Sequence, residues 1–344
     1  NGLRLMRSIG APSYEIYGLE RVEVLKGPAS ALYGAGSPAG VINQVQKRAR
    51  FEDFNEVGLG AGDPRDFQGY FDVNRATGET FAFRLTGIAR DTEQDIEEIT
   101  DTRGYIAGAT RWLITPTTTL DLLGSYQKDD PITPAGLPYN VASDTRSRRD
   151  LYIGDPSFDD SDRRMANIGY ELRQEIAGGW SLYQGLRYQS FDWDYRGFYT
   201  SGPAVDDTVT RGVIWQDEDT STVNVDTRLQ GQVATGAVAH DLLLGLDLRH
   251  YDDNTTTQFG SSSPFVIGDG STRRAVVSEP WFTSVSDLKL DQIGVYAQDQ
   301  LAWDKWRGTL SLRHDWARQK GTTFTNFAGA TDVDEDDSKT TGHA

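Results

Sequence analysis

The feature that most constrains this chain is an apolar period of two, repeated segment after segment from about residue 55, with no long apolar run beside it. In residues 67–74, Phe67, Phe71 and Val73 fall on one face, and Gln68, Asp72 and Asn74 on the other. Val223, Val225, Leu229 and Val233 oppose Asn224, Asp226, Arg228, Gln230 and Gln232. Leu242, Leu244, Leu246 and Leu248 oppose Gly245, Asp247 and Arg249; Leu310 and Leu312 oppose Arg307, Thr309, Ser311 and Arg313. Side chains alternate across a strand, so each segment reads as a strand with one dry and one wet face. Residues 105–114 read equally well in either register.

A dry face can cover a soluble core or meet lipid. Here the wet faces are dense with Arg, Asp, Asn and Gln over many strands, as the interior of a water-filled barrel requires. Trp306 and Trp316 share a face ten positions apart. On a tilted strand that spacing covers roughly the 25 Å apolar band of an outer-membrane-type barrel. The connections alternate in length. Short ones fall near residues 76–80, 115–118, 177–179, 235–239 and 304–305, and long ones near 92–103, 129–163, 197–220, 252–289 and from Gln319 onward. Short turns at one end and long loops at the other mark such barrels, and the count reaches about eleven strands, with the chain stopping inside a long loop.

Composition removes other classes. The longest helical membrane candidate, residues 242–248, is broken by Gly245 and Asp247 and is far below the roughly 18 residues a helix needs. There is no cysteine, which excludes disulfides, thiolate metal sites and thiol catalysis. The four histidines, His240, His250, His314 and His343, lack ligand spacing. Asp332, Asp334 and Asp336 resemble the start of a calcium loop, but Asp337 stands where glycine is needed and His343 where glutamate is needed. No resident metal or cofactor is expected. A net charge of −17 without basic clusters argues against nucleic acid. Acidic residues are abundant but form no recognisable catalytic pair, so no enzyme is expected; a passive porin or adhesin barrel and a secreted β-rich hydrolase are the rival readings. The chain opens Asn1-Gly2-Leu3-Arg4 without an initiator Met or signal peptide, which suggests a start inside a longer protein.

Residues 1–50 differ from the rest. Residues 20–26 alternate as a short strand, Pro28 opens a helical turn, residues 36–40 form a turn and residues 41–48 a second strand. This is a small α+β unit whose glycines match no phosphate-binding spacing.

Tyr17-Gly18-Leu19-Glu20-Arg21-Val22-Glu23-Val24-Leu25-Lys26-Gly27-Pro28, then Leu32-Tyr33-Gly34 and Ser37-Pro38-Ala39-Gly40-Val41-Ile42-Asn43, resembles the last part of the plug domain of TonB-dependent siderophore receptors. Further along, Gln292-Ile293-Gly294-Val295-Tyr296-Ala297-Gln298-Asp299-Gln300 and Arg313-His314-Asp315-Trp316 are similar to barrel strands of the ferrichrome type. The resemblance implies an all-β fold: a transmembrane antiparallel β-barrel, about eleven strands present of about 22, enclosing the C-terminal part of an α+β plug. It divides the chain into residues 1–50 (plug) and 51–344 (first half of the barrel, ending in an external loop). It implies import of a ferric siderophore, hydroxamate by type, across the outer membrane with energy from TonB, with membrane lipid as the other partner. Cobalamin or glycan import is the alternative within the family.

By the same resemblance the plug apex falls at Arg7, Ser8 and Ile9, with Gly10 where the ferrichrome pattern has an aromatic. Lys26 takes a position usually held by an arginine that latches plug to barrel through carboxylates on later strands, and a lysine loses the bidentate fork. Tyr139 follows a segment that in ferrichrome receptors carries ligand-facing aromatics, replaced here by Pro134-Ala135-Gly136. Tyr195, Tyr199, Trp215 and Phe259 are the remaining candidates for a vestibule that holds a bulky, partly apolar chelate.

Overall fold

The computed structural model describes residues 1–4, 6, 13–27, 34, 39–142 and 150–343. The apex candidates Arg7, Ser8 and Ile9 lie outside them. Two short strands, β1 (Leu19–Lys26) and β2 (Gly40–Gln46), pair antiparallel as a separate two-stranded sheet. After them the chain runs up and down through β3 (Phe54–Gly62), β4 (Asp66–Thr77), β5 (Phe81–Glu93), β6 (Thr100–Thr115), β7 (Thr118–Asp129), β8 (Asp160–Ile176) and β9 (Trp180–Thr200). It continues through a two-residue β10 (Thr208–Val209), then β11 (Arg211–Thr235), β12 (Val238–Ser261), a two-residue β13 (Phe265–Val266), β14 (Phe282–Trp303), β15 (Trp306–Thr325) and β16 (Gly329–His343). Apart from β10 and β13, which pair with each other, β3 to β16 form one twelve-stranded sheet in which every strand pairs antiparallel with its neighbour in sequence.

The period of two decides which side of this sheet each residue meets, and the result inverts a soluble protein. Ile168, Leu310 and Leu312 are 64%, 52% and 60% exposed on the outer face, whereas Asp72, Glu218 and Arg313 on the inner face are each 1% exposed. A sheet with apolar residues outside and buried charges inside suits lipid on its outer face, and antiparallel pairing satisfies the backbone groups between neighbouring strands without water, with β3 and β16 as the edges among the described residues. The ambiguous register of β6 resolves with Tyr105, Ala107 and Ala109 buried and Ile106 and Trp112 exposed. Among the described residues no helix is long and apolar enough to cross a membrane.

The five short turns lie where the pattern places them. The long connections are shorter than expected, because strands continue through much of them. β9, β11, β12, β14 and β15 run 21, 25, 24, 22 and 20 residues, against about 9–11 needed to cross a bilayer. Their distal halves mix polar stretches, such as residues 216–222 and 252–258, with rim aromatics, so a steady alternation fades from the sequence while the ladder goes on. The segment after Gln319, expected as an open loop, is the end of β15, a short turn and the twelfth strand of the sheet. β16 escaped notice because Asp332, Asp334 and Asp336 face out beside Arg318 and Lys320, giving a charged face instead of an apolar one.

Three external connections share a small core of their own, in which Ile153, Val209 and Phe265 are buried together. Arg211 is its centre. Its Nη1 donates to the carbonyl of Ile153 (2.6 Å), its Nε to that of Ser263 (3.0 Å) and its Nη2 to that of Thr272 (2.8 Å), while its guanidinium lies against the Phe198 ring. One cation thus ties residues 130–159 to residues 262–281. Beside it, burial pushes the Asp159 carboxyl up to about 7. The Tyr152 hydroxyl donates to this carboxyl, as does the Asp155 N–H (3.1 Å).

Candidate functional site: the docked inner unit and the outer rim

Residues 13–27 and 39–53 meet the inner face of the sheet through charged side chains that have left water in pairs. On β4 and β5, Arg84 grips Asp72 with two parallel bonds (Nε to Oδ1 2.8 Å, Nη2 to Oδ2 2.7 Å), and Lys47 adds a third contact to Oδ2 (2.8 Å). Lys47 also lies 3.9 Å over the Tyr17 ring, which packs against Tyr70 of β4 at 5.0 Å. The next cation, Arg48, reaches Glu171 on β8. Arg50 turns back to Glu20, and its backbone is held on both sides by Asn74: N–H to Oδ1 (3.0 Å) and carbonyl from Nδ2 (2.7 Å).

A second cluster holds the residues before β1. The carboxylate of Glu15 faces Arg90 (3.1 Å) and Arg103 (3.4 Å), and Arg103 also binds Asp129 (2.9 Å). Gln127 accepts the Glu15 N–H and donates to the Ser13 carbonyl, each at 2.9 Å. Gly18 lies directly beneath Tyr105: a Cβ there would stand 2.1 Å from the tyrosine oxygen. Across the lumen, Arg313 pairs with Asp247 (2.6 Å) and Asp315 (2.8 Å), with Gly34 pressed against its guanidinium. Arg249 bonds to Asn224 (3.0 Å) and Gln292 (2.7 Å), and Asn224 donates to the carbonyl of Arg4 (2.9 Å).

Lys26, the expected latch, is exposed at the end of β1 and makes no ion pair among the described residues. Its expected partners are carboxylates on later strands, so the fastening seen here, through Glu15, Lys47 and Arg48, is a separate set of contacts. A run of cations just past the last inner strand was the available signal. The sequence reading absorbed it into that strand, because only the fold shows that Asp72 and Glu171 converge on the run.

At the external end, cross-strand register sorts the aromatic candidates. Tyr195 pairs with Gln216, Tyr199 with Gly212, and Phe259 with Ile214, which puts all three on the same inner face as buried Glu218. Tyr199 lies over Gly212, where a Cβ would come within 2.4 Å of its ring, and meets Phe259 edge-on at 5.7 Å. The row continues through Phe282 (5.9 Å) to Phe327 (5.8 Å), two residues that only the strand pairing brings beside Phe259. Tyr195 stacks at 4.9 Å against Trp193. Trp215 is a correction: being odd-numbered on β11, it faces the other side, where it packs against Phe158 at 5.7 Å. Tyr139, at the start of a helical turn (Tyr139–Ala142), is 78% exposed. Among the described residues, no group of acidic or histidine side chains is placed to hold a metal ion.

An antiparallel wall, dry outside and charged inside, with a small two-stranded unit fastened within it, defines a plugged membrane barrel. Family models place the chain. Residues 108–344 match the TonB dependent receptor-like beta-barrel and residues 1–41 the TonB-dependent receptor plug domain. The chain belongs to the TonB-dependent receptors, a family of receptors and transporters, not enzymes. It is 31% identical over 329 residues to the ferrioxamine B receptor of Salmonella typhimurium, covering 92% of this chain and 46% of that protein. It is 29% identical over 374 residues to the ferrichrome outer membrane transporter/phage receptor of Escherichia coli, covering 98% and 49%. The chain therefore spans about half the length of the curated relatives it matches. Among solved structures it resembles the open form of the ferric-catecholate import receptor Fiu of E. coli, with a TM-score of 0.79 at 18% identity, over 98% of this chain and 58% of that one. At that identity the likeness speaks for the fold.

Proposed function

We infer that the full-length protein sits in the outer membrane, captures a ferric siderophore at its external face and imports it with energy delivered by TonB. The observation that supports this most is the docked inner unit: a passive pore has no use for a lumen filled by a domain held through at least three buried or half-buried ion-pair clusters. A plug held this way blocks leakage and must be displaced by work. Hydroxamate siderophores are the proposed class, since the ferrioxamine B and ferrichrome proteins match over nine-tenths of the chain. Tyr195, Tyr199 and Phe259, extended by Phe282, would offer ring faces to the apolar parts of such a chelate, and Arg7, Ser8 and Ile9 would meet it at the plug apex. Tyr139 is free to approach from its loop; Trp215 is withdrawn from the set.

The test is growth of an iron-starved, receptor-null strain expressing the full-length parent, fed hydroxamate, catecholate and mixed ferric chelates, with and without TonB. TonB-dependent rescue by hydroxamates alone is expected. Rescue by catecholates alone would move the ligand class. No rescue by any chelate, with the protein present in the outer membrane, would point to another TonB-dependent substrate such as cobalamin or a glycan.

A further inference from the structure

Glu171 is buried on β8, and both its carboxylate oxygens are held from the plug side: Oε1 by the Asn1 amide (2.9 Å) and Oε2 by Arg48. Its neighbour on the wall is Arg187 of β9. Register pairs Gly169 with Arg187 and Glu171 with Gly185, so the two charged residues are diagonal neighbours on one face, each opposite a glycine that leaves room between them. Among the described residues no carboxylate lies within ion-pair distance of Arg187, and its buried Nε has no hydrogen-bond partner. Glu171, Tyr14, Tyr183 and Tyr105 face it, and on the β11 side it stands opposite Asn224, whose oxygen is already taken by Arg249. An unpaired cation on a plugged wall is costly to keep.

The geometry points to Arg187 as an exchange partner: a wall arginine that takes over Glu171 when Arg48 and the plug leave it. Pulling the plug away strips Glu171 of both donors, and a lumen carboxylate left alone would oppose the movement. Rotation of Arg187 onto Glu171 replaces the lost pair with one confined to the barrel, so the closed and open states differ less in energy than the contacts suggest. Arg187 is thus a positioning residue for opening, and it makes no contribution to holding the plug shut. The idea rests on residues 1–50 moving during import, yet it can be tested without import.

The experiment is hydrogen exchange of amides 40–50 in the full-length receptor purified in detergent, without TonB or ligand. Arg187→Met is expected to slow opening of this segment roughly tenfold, the effect of removing one charge-assisted bond from the open state. Arg187→Lys should restore part of the rate, and in a Glu171→Gln background Arg187→Met should change nothing. Should Arg187→Met not fold, Arg187→Gln serves the same comparison. Faster exchange in the variants would mean that Arg187 braces the closed plug, and unchanged exchange would mean that it has no part in opening; either result overturns the proposal.

Discussion

Single residues in this lumen carry opposite burdens to those in a soluble core, and Asp72 shows it best. Four donor groups, two from Arg84 and one each from Lys47 and Thr86, converge on a carboxylate with 1% exposure. Asp72→Ala leaves Lys47 without its carboxylate and Arg84 with Glu20 alone (3.4 Å), and should cost about 3–5 kcal/mol. Thermal unfolding of the full-length receptor, with exchange of the plug strands alongside, checks this; a loss under about 0.5 kcal/mol, the usual surface value, would sink it. Asp159 gives a pH prediction. Its folded value near 7 lies above the ordinary 3.8, because burial disfavours the charge. Between those values the folded loop holds a proton that the unfolded chain lacks, so packing of the external loops is strongest at acid pH and weakens as pH rises toward 7. Protease resistance of the loops should decline over that window in the wild type and stay flat in Asp159→Asn. The sequence showed that such residues face inward, but not their partners: Asp72 and Arg84 stand twelve positions apart and meet only once register is set.

At the scale of the strand, legibility followed chemistry. Where one face met lipid and the other water, as in β12 from Leu242 to Leu248, the alternation was plain and the short turns fell in place. Where strands rise above the lipid-facing band, neither face keeps a steady apolar or polar character. Nothing in the residue order then separates strand from loop, and β16 and the outer parts of β11, β12 and β14 read as loop. Phe282 and Phe327 were missed there, although Tyr199 and Phe259 were found. The inner unit's own fastening was hidden for another reason: Lys47 and Arg48 read as part of the second inner strand, and their partners Asp72 and Glu171 lie far off in sequence. The outer face also makes a sharp prediction. Leu246, 42% exposed on β12, should tolerate Ile, but Leu246→Arg should cost about 2–4 kcal/mol when folding is measured into lipid vesicles. Equal stability of the two variants would mean that this face does not meet hydrocarbon.

The whole molecule is a wall with a tethered occupant. The occupant's end continues into β3 through a linker pinned by three basic residues, so displacement is easiest to begin away from that end. The outer surface sets a different constraint. On β7, β12, β14 and β15 the apolar side chains end at Tyr126, Leu248, Ile293 and Trp316, and the next outward positions are Lys128, His250, Asp291 and Arg318. At the opposite margin, Trp303 and Trp306 sit beside a two-residue turn. The wall therefore carries its own waterline. A thinner or thicker bilayer would have to stretch or compress around that mark, and its draught keeps the aromatic rim clear of the lipid, facing the medium.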